Sequence, residues 1–290
     1  MKFSNLSYVY TRTVDEALEA LADASLAARP LAGGQSLMPM MALRLAQPEV
    51  LVDINGIDEL DGIQIGDSEV RIGAMTRQTT VERDAALSAA LPIVATVVSH
   101  IGYRAVRNRG TVGGSLCNAD PAGELPALMT LLDASMLVAS RGSRRTVAAH
   151  EFFAGHYSTA LDDNELLIDV RIPMPKGSRT VYGFHEVARR PGDFALAGTI
   201  VALDLADDGT VVEADLLAIA GGDRPVRLTS VEQELVGKPF HDDIIAAASS
   251  HAAADVTPGE DVHVDNWYRV HLHTVTARRA LLDARDRSTR

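Results

Sequence analysis

Two glycine pairs are the residues whose type and spacing most directly indicate chemistry. Gly33-Gly34 and Gly113-Gly114 lie far apart in the sequence, and each pair is flanked by hydroxyl or amide side chains. Glycine has no Cβ and adopts positive φ easily, so peptide N–H groups beside it can approach an anion closely. Two such loops can clamp one diphosphate from both sides without a lysine. For either loop alone, a plain tight turn is the alternative.

The second loop carries more polar groups than the first. Residues 111–121 read Thr-Val-Gly-Gly-Ser-Leu-Cys-Asn-Ala-Asp-Pro, so the hydroxyls of Thr111 and Ser115 flank the glycines, and Asn118 and Asp120 follow. Neither loop contains the GxGxxG pattern of dinucleotide-binding Rossmann domains or the GxxxxGK[ST] pattern of P-loop NTPases. The sequence therefore predicts an anion-binding site of another kind.

Composition excludes several other kinds of function. A formal net charge of -12 opposes binding to nucleic acid or to an anionic membrane surface. Cys117 is the only cysteine, so this chain alone can form neither an internal disulfide nor a cluster held by four cysteines. His271 and His273 lie in a helical pattern, where a spacing of two residues separates the side chains, and no metal site is predicted. Nothing in the residue order indicates a Ser-His-acid triad or a catalytic carboxylate pair.

The elements that must position these loops can be read from local patterns. Thr13 and Glu16 form a capping-box pattern that predicts a helix over residues 14–28. Ser36 is predicted to cap a second short helix directly after the first glycine pair, and residues 50–54 form a predicted buried strand. A hairpin over residues 63–72 follows, and then helical patterns over residues 79–107.

Strands and helices continue without a regular βαβ alternation, which predicts an α+β fold. A helix over 124–132 precedes predicted strands at 135–139, 144–147 and 166–172. Pro- and Gly-rich residues 174–178 are the predicted linker. Beyond the linker come three long predicted strands, followed by helices beginning at Thr229, Asp242 and Val264; the strands cover residues 181–188, 195–205 and 211–220.

The N-terminal residues lack the apolar region and the small-residue cleavage pattern of a secretory signal. No window is apolar for the roughly 20 residues that a spanning helix needs. We therefore expect no transmembrane segment and a cytoplasmic location, with peripheral association at the inner face of the membrane left open.

The sequence resembles a known family over essentially its whole length. The segments that carry the resemblance are AGGQSLMPMMALRLAQPEVLVDI from Ala32, IGAMT from Ile72, TVGGSLCNADPAGELPAL from Thr111 and YRVHLHTVTARRAL from Tyr268. They are similar to the medium, FAD-binding subunit of molybdenum hydroxylases. This family includes the flavoprotein subunits of carbon monoxide, nicotine, quinoline and caffeine dehydrogenases and is related to the FAD domain of xanthine dehydrogenase.

The resemblance implies an α+β fold in two parts. Residues 1–176 are expected to form a vanillyl-alcohol-oxidase-like (PCMH-type) FAD-binding domain, with subdomains of about 1–55 and 56–176. Residues 177–290 are expected to form a smaller domain with a three-stranded antiparallel sheet and helices.

The resemblance also implies which residues bind FAD. Glu124 matches a position where many relatives have an aspartate that hydrogen-bonds the cofactor, and His185 matches a basic position. Phe194 matches a tyrosine that lies against the isoalloxazine ring, so it keeps the stacking face and lacks the hydroxyl. The full implied set is Leu31, Ala32, Gly33, Gly34, Gln35, Ser36, Thr76, Ile101, Thr111, Val112, Gly113, Gly114, Ser115, Asn118, Asp120, Glu124, Leu167, His185, Asp193 and Phe194.

By the same resemblance, the chain is expected to be an electron-transfer subunit that binds FAD non-covalently and carries no catalytic residue or metal of its own. Its expected partners are a small two-iron two-sulfur subunit and a large molybdopterin subunit, assembled as a dimer of heterotrimers. Two alternatives stay open at this stage. One is a stand-alone FAD-dependent reductase or oxidase of the same superfamily, and the other is a scaffold that has lost its flavin.

Overall fold

The computed structural model describes residues 5–23, 26–175, 177, 179–261 and 264–288. Within these ranges the strands form a three-stranded, a five-stranded and a four-stranded sheet, together with a small two-stranded hairpin. Helices and strands are mixed as the sequence predicts, and the α+β class is confirmed.

The first sheet is parallel, with strand order β1-β3-β2. Its central strand has the sequence Val-Leu-Val-Asp and is buried at every position, which agrees with the predicted buried strand. Two short helices connect the strands. In chain order the elements are β1 (Ser7–Tyr10), α1 (Val14–Leu21), β2 (Ala28–Leu31), α2 (Leu37–Ala42) and β3 (Val50–Asp53).

Two expectations about this region are wrong. Helix α1 ends at Leu21, because residues 28–31 pair with the central strand and this tertiary pairing overrides the local helical pattern. The side chain of Ser36 makes no capping hydrogen bond, since its backbone is already helical rather than extended. Thr13, in contrast, accepts a hydrogen bond from the Glu16 N–H at 3.2 Å as predicted.

The second sheet is antiparallel, with strand order β4-β5-β10-β6-β7. The helical pattern over 79–107 is divided into short helices, because Asp84 caps a new helix and Pro92 begins another. In chain order the elements are β4 (Ile63–Ile65), β5 (Glu69–Gly73), α3 (Gln78–Arg83), α4 (Ala85–Ala90), α5 (Pro92–Val98), α6 (Arg104–Arg107), α7 (Val112–Asn118), α8 (Glu124–Leu131), β6 (Ser135–Ser140), β7 (Ser143–Ala148), α9 (Ala149–Phe152), β8 (Phe153–Gly155), β9 (Ser158–Thr159) and β10 (Leu166–Pro173).

The third sheet is antiparallel, with strand order β11-β12-β13-β14. The expected three-stranded sheet is therefore not what is observed, since a fourth strand of two residues is added at one edge. The long strands match their predicted ranges within one residue. In chain order the elements are β11 (Thr180–Ala188), β12 (Ala195–Leu205), β13 (Val211–Ile219), β14 (Val226–Arg227), α10 (Thr229–Leu235), α11 (Asp242–Ser249), α12 (Ala252–Asp255) and α13 (Asn266–Ser288).

The two faces of the third sheet pack against different helices. On one face, Val181 packs in a core with Ala280 and Leu281 of α13. On the other face, Tyr182 and Phe184 join the core that contains α5 and α8. Because successive residues of a strand alternate between faces, β11 directs every second side chain toward the glycine-loop half of the chain.

The predicted boundary at Lys176 lies outside the described residues. Met174, just before it, donates its backbone N–H to the Ser68 carbonyl at 2.9 Å. The division of the chain at this point stays a prediction.

No helix in the described ranges is long and apolar enough to cross a lipid bilayer.

Candidate functional site

The first glycine loop follows directly from the end of β2. Gly34 has a φ of +70°, a conformation that favours glycine. Among the described residues, the backbone N–H groups of residues 33–36 donate no hydrogen bond to the protein. The Gln35 side chain donates to the Gly33 carbonyl at 3.2 Å and so stabilises the turn. The loop therefore offers a row of peptide donors to a ligand.

The second glycine loop packs directly against the first. A Cβ on Gly33 would overlap the carbonyl of Arg109, and a Cβ on Gly114 would lie 3.5 Å from the Cβ of Ala32. Glycine is thus needed at position 33 for close approach between two parts of the protein backbone. The fold brings the two sequence-predicted loops together at one place.

Internal hydrogen bonds occupy the peptide groups of the second loop. Val112 donates to the Thr76 carbonyl at 3.0 Å, and Gly113 donates to the Ala74 carbonyl at 2.8 Å. Gly114 donates to the Thr111 hydroxyl at 3.0 Å, which caps α7. A Cβ on Gly113 would lie 2.6 Å from the Cβ of Ala74. The second loop is therefore a rigid support, and the free peptide donors belong to the first loop.

A cleft of about 320 Å³ opens beside the first loop. It combines peptide donors, apolar side chains and one guanidinium group, and such groups can together bind an organic diphosphate. Its lining residues are Leu31, Gly33, Gly34, Gln35, Met38, Pro39 and Arg109.

Two side chains that the sequence reasoning missed brace the loops. Asn55 donates through its amide to the carbonyls of Leu31 at 3.1 Å and Ala32 at 3.0 Å. Arg77 donates to the Asn55 side chain at 2.7 Å and also to the Arg109 carbonyl. The position of Asn55, two residues beyond the central strand of a parallel sheet, is the only sequence signal that indicates this role.

The polar loop after α7 is fixed by a residue from a distant hairpin. Ala119 has a φ of +47°, and its carbonyl accepts the backbone N–H of Tyr157 at 3.2 Å. The Tyr157 hydroxyl donates to one carboxylate oxygen of Asp120 at 3.1 Å, and the other oxygen accepts the Ala122 N–H at 3.0 Å. Both oxygens of this predicted site residue are therefore oriented by the protein. Sequence reasoning missed Tyr157.

Glu124, at the start of α8, and Glu186, on β11, are two carboxyl groups with raised pKa values. Glu124 is only 5% exposed, and burial raises its pKa to about 7, with a further contribution from the Asp120 charge. Burial also raises the pKa of Glu186 to about 8, with Glu124 as the neighbouring like charge. Glu186 lies on the same face of β11 as Tyr182 and Phe184. Sequence reasoning missed Glu186.

The other sequence-predicted residues are distributed unevenly around the site. Thr76 is buried and exchanges hydrogen bonds with Gly62, so its hydroxyl is used inside the protein. His185 lies on the face of β11 that packs against α13, and its Nε2 accepts from Arg279 at 3.2 Å. Burial lowers the pKa of His185, and the Arg279 charge lowers it further.

The last predicted residues lie around Ile101 and the loop between β11 and β12. Ile101 packs against the core, and Leu167 is buried in β10. A Cβ on Gly192 would lie 3.1 Å from the ring of Tyr103, so the loop that contains Asp193 and Phe194 approaches residues 101–103. Phe194 is 63% exposed, which leaves its ring face available.

This arrangement, two packed glycine loops with free peptide donors beside a cleft, is suited to binding an organic anion. The sequence matches the family described as the FAD binding domain in molybdopterin dehydrogenase over residues 2–175, and the CO dehydrogenase flavoprotein C-terminal domain over residues 182–284. The chain belongs to the family of FAD-binding medium subunits of molybdenum hydroxylases.

Characterised relatives cover nearly the full length. The glyceraldehyde dehydrogenase medium chain of Sulfolobus acidocaldarius is 36% identical over 275 residues, which is 94% of this chain and 96% of the relative. The caffeine dehydrogenase subunit beta of a Pseudomonas species is 35% identical over 99% of this chain and 97% of the relative. The carbon monoxide dehydrogenase medium chain of Hydrogenophaga pseudoflava is 36% identical over 94% of this chain and 95% of the relative.

Solved structures agree with this assignment. Quinoline 2-oxidoreductase from Pseudomonas putida 86 superposes with a TM-score of 0.95, 36% identity and full coverage of both chains. Carbon monoxide dehydrogenase from Hydrogenophaga pseudoflava superposes with a TM-score of 0.94 and 36% identity, over 99% of each chain. The shared fold therefore extends through both the glycine-loop half and the third sheet.

Proposed function

We propose that this chain is the FAD-carrying electron-transfer subunit of a molybdenum hydroxylase. It takes electrons from an iron–sulfur subunit and passes them to a terminal acceptor, while a separate molybdopterin subunit hydroxylates the substrate. The single observation that carries this proposal is the row of unoccupied peptide donors at residues 33–36 beside Arg109, in a chain of this family. FAD supplies the ability to accept single electrons and to deliver two.

The first loop and Arg109 are proposed to hold the pyrophosphate of FAD. Peptide N–H groups supply directed donors, and the guanidinium supplies positive charge. Asn55 and Arg77 keep the first loop in the binding conformation. The second loop, Thr111 to Ser115, supports this arrangement through α7. Residues 31–36 contain no histidine or cysteine, which agrees with non-covalent binding.

The remaining contacts are proposed for the other end of the cofactor. Asp120, oriented by Tyr157, and the buried Glu124 supply polar contacts. Phe194 supplies a ring face to the isoalloxazine; further proposed contacts come from Asn118, Ile101, Leu167 and Asp193. We leave His185 out of the proposed site because its ring packs toward α13 and is engaged by Arg279.

The proposed partners are a small two-iron two-sulfur subunit and a large molybdopterin subunit, assembled as a dimer of heterotrimers in the cytoplasm. The support is that relatives are named as medium chains or subunits, and that this chain has a single cysteine. We also propose the division into an FAD-binding domain over 1–176 and a C-terminal domain over 177–290.

Affinity purification from the native host tests this proposal. The expected result is a flavin spectrum overlaid with iron–sulfur absorption, together with two further chains, one small and one large. A solitary yellow protein that oxidises or reduces a small molecule unaided would contradict the subunit role. A colourless protein that does not take up added FAD would contradict the cofactor assignment itself.

A further inference from the structure

The C-terminal segment that carries the family resemblance, beginning at Tyr268, contributes no residue to the proposed FAD site. Its second residue, Arg269, lies in the first turn of α13 and is half-buried. A guanidinium group has five N–H donors in one plane, so it can bind several carbonyl groups at once. Arg269 uses three of its nitrogens in this way, each on a main-chain carbonyl.

The three carbonyls belong to three separate segments of the chain. Nε donates to Leu196 at 3.3 Å, and Nη2 donates to Ala220 at 3.3 Å. Nη1 donates to Gly259 at 2.6 Å, through the main chain, so this contact does not depend on the residue type at position 259. Leu196 lies near the start of β12, and Ala220 directly follows β13. Arg269 therefore ties the start of one strand to the end of its neighbour.

Ala220 joins this arginine to the loop that carries Asp120. Its φ is +60°, a conformation that is costly for a residue with a Cβ. The Ala220 N–H donates to the carbonyl of Pro121 at 2.9 Å, while its own carbonyl accepts from Arg269. A strained backbone persists only where its surroundings hold it. The two hydrogen bonds therefore hold Ala220 in place and, through it, the residue that follows Asp120.

Leu196 joins the same arginine to Phe194, which lies two residues earlier. The ring of Phe194 is 63% exposed, so packing within this chain does little to fix its position. The main chain that carries it is restrained instead, because the Leu196 carbonyl accepts from Arg269. One guanidinium group thus contacts the main chain close to both Asp120 and Phe194.

We propose that Arg269 is a positioning residue for the flavin end of the cofactor, and that it holds Asp120 and Phe194 in a fixed relation to each other. This inference rests on the proposed function, in which both residues contact FAD. The pyrophosphate end does not depend on Arg269, because Asn55 and Arg77 brace the first loop. A ligand that occupies only the pyrophosphate end is therefore expected to be insensitive to changes at Arg269.

The first test compares FAD with ADP, which has the adenosine and the diphosphate of FAD but no flavin. In calorimetric titration of the full-length protein freed of FAD, Arg269→Lys should raise the Kd for FAD about tenfold and leave the Kd for ADP unchanged. Lysine keeps the charge, but its single nitrogen cannot replace three donors in one plane. Arg278→Lys is the matched control, since Arg278 lies exposed on the same helix, and it should change neither Kd.

The other outcomes of this titration separate the inference from the proposed function. An unchanged Kd for FAD in Arg269→Lys would overturn the inference. Equal weakening of FAD and ADP would also overturn it, because a general loss of folded structure affects both ligands. A wild-type protein that binds FAD but not ADP would contradict the independence of the two ends on which the inference depends. A wild-type protein that binds neither ligand would instead contradict the proposed function.

The second test uses protein saturated with FAD, so that its result does not depend on affinity. The visible circular dichroism of a bound flavin arises from the asymmetric surroundings of its ring. The spectrum of Arg269→Lys should differ from that of the wild type, and the spectrum of Arg278→Lys should match it. Identical spectra for all three proteins would show that Arg269 does not position the flavin, and would overturn the inference even if the affinities differ.

Discussion

Gly33→Ala is the substitution for which the structure gives the sharpest expectation. The added Cβ would overlap the carbonyl of Arg109 and would lie 3.0 Å from the Cα of Gly110. Both obstacles are main-chain atoms, so a side-chain rotation cannot relieve them. The first loop must move away from the residues that precede the second loop, and the peptide donors move with it.

Overpacking of this kind costs about 1–3 kcal/mol. In a chain of this length, each kcal/mol lowers the Tm by roughly 2–4 °C. Differential scanning fluorimetry of the FAD-free protein should therefore show a Tm that is lower by ~2–12 °C. If the displaced loop must return to its original position to bind the pyrophosphate, a comparable cost of about 1.4–2.8 kcal/mol weakens FAD binding 10- to 100-fold in calorimetric titration.

Gly259→Ala is the matched control. A Cβ at Gly259 meets no atom within 4 Å, and its backbone does not have a positive φ. This substitution should leave FAD binding unchanged and the Tm equal or slightly higher. A Gly33→Ala protein with the Tm and FAD affinity of the wild type would refute the argument that contact between the two loops shapes the site.

Three further changes test the Asn55 contact with the first loop, the cap of α7 and the raised pKa values of the two glutamates. Asn55→Ala removes the amide that holds the first loop, and fluorescence titration should show FAD binding weakened about tenfold, equivalent to roughly one hydrogen bond. Unchanged affinity would show that Asn55 does not hold the loop in its binding conformation. Thr111→Val deletes the cap of α7 and leaves the Gly114 N–H without its acceptor, so chemical denaturation should show a loss of about 1–2 kcal/mol; an unaltered midpoint would count against the cap. Because burial raises the pKa of Glu124 and Glu186 in the folded state, the folded FAD-free protein binds more protons than the unfolded chain, and its Tm should fall as pH rises from about 5 to 8. Replacing both glutamates by glutamine should remove that fall, and a persistent fall would assign it to other groups.

Parts of the fold could be predicted because local pattern and tertiary environment agree. The run Val50-Leu51-Val52-Asp53 is apolar enough to require burial on both faces, and it became the central strand of a parallel sheet. The ranges of β12 and β13 followed from turn residues such as Asp208-Gly209 between apolar runs. The early end of α1 could not be predicted, because it depends on a strand pairing with residues some twenty positions away.

The residues of the candidate site likewise include some that the sequence could predict and some that it could not. The glycine pairs could be found from the sequence because the lack of a Cβ is a property of the residue itself. Asn55 and Tyr157 could not, because their roles arise from contacts between distant segments. On β11, the resemblance indicated His185, whereas His185 is engaged by Arg279 and Glu186 lies on the face that carries Tyr182 and Phe184. Because side chains alternate along a strand, a shift of one residue changes which of two neighbouring side chains points toward the site. A strand that is buried on both faces does not show in its sequence which of its faces meets the site.

Anaerobic electron transfer between purified components tests whether this chain accepts electrons from an iron–sulfur subunit. The FAD-loaded chain is mixed with its co-purified iron–sulfur subunit, which has been reduced with dithionite and freed of excess reductant, and the flavin absorbance is followed. We expect the flavin absorbance to be lost, and we expect full reduction to consume electrons from about two one-electron clusters for each FAD. A flavin that stays oxidised in the presence of the reduced iron–sulfur subunit, yet is reduced by a small-molecule substrate added to this chain alone, would contradict the electron-transfer role.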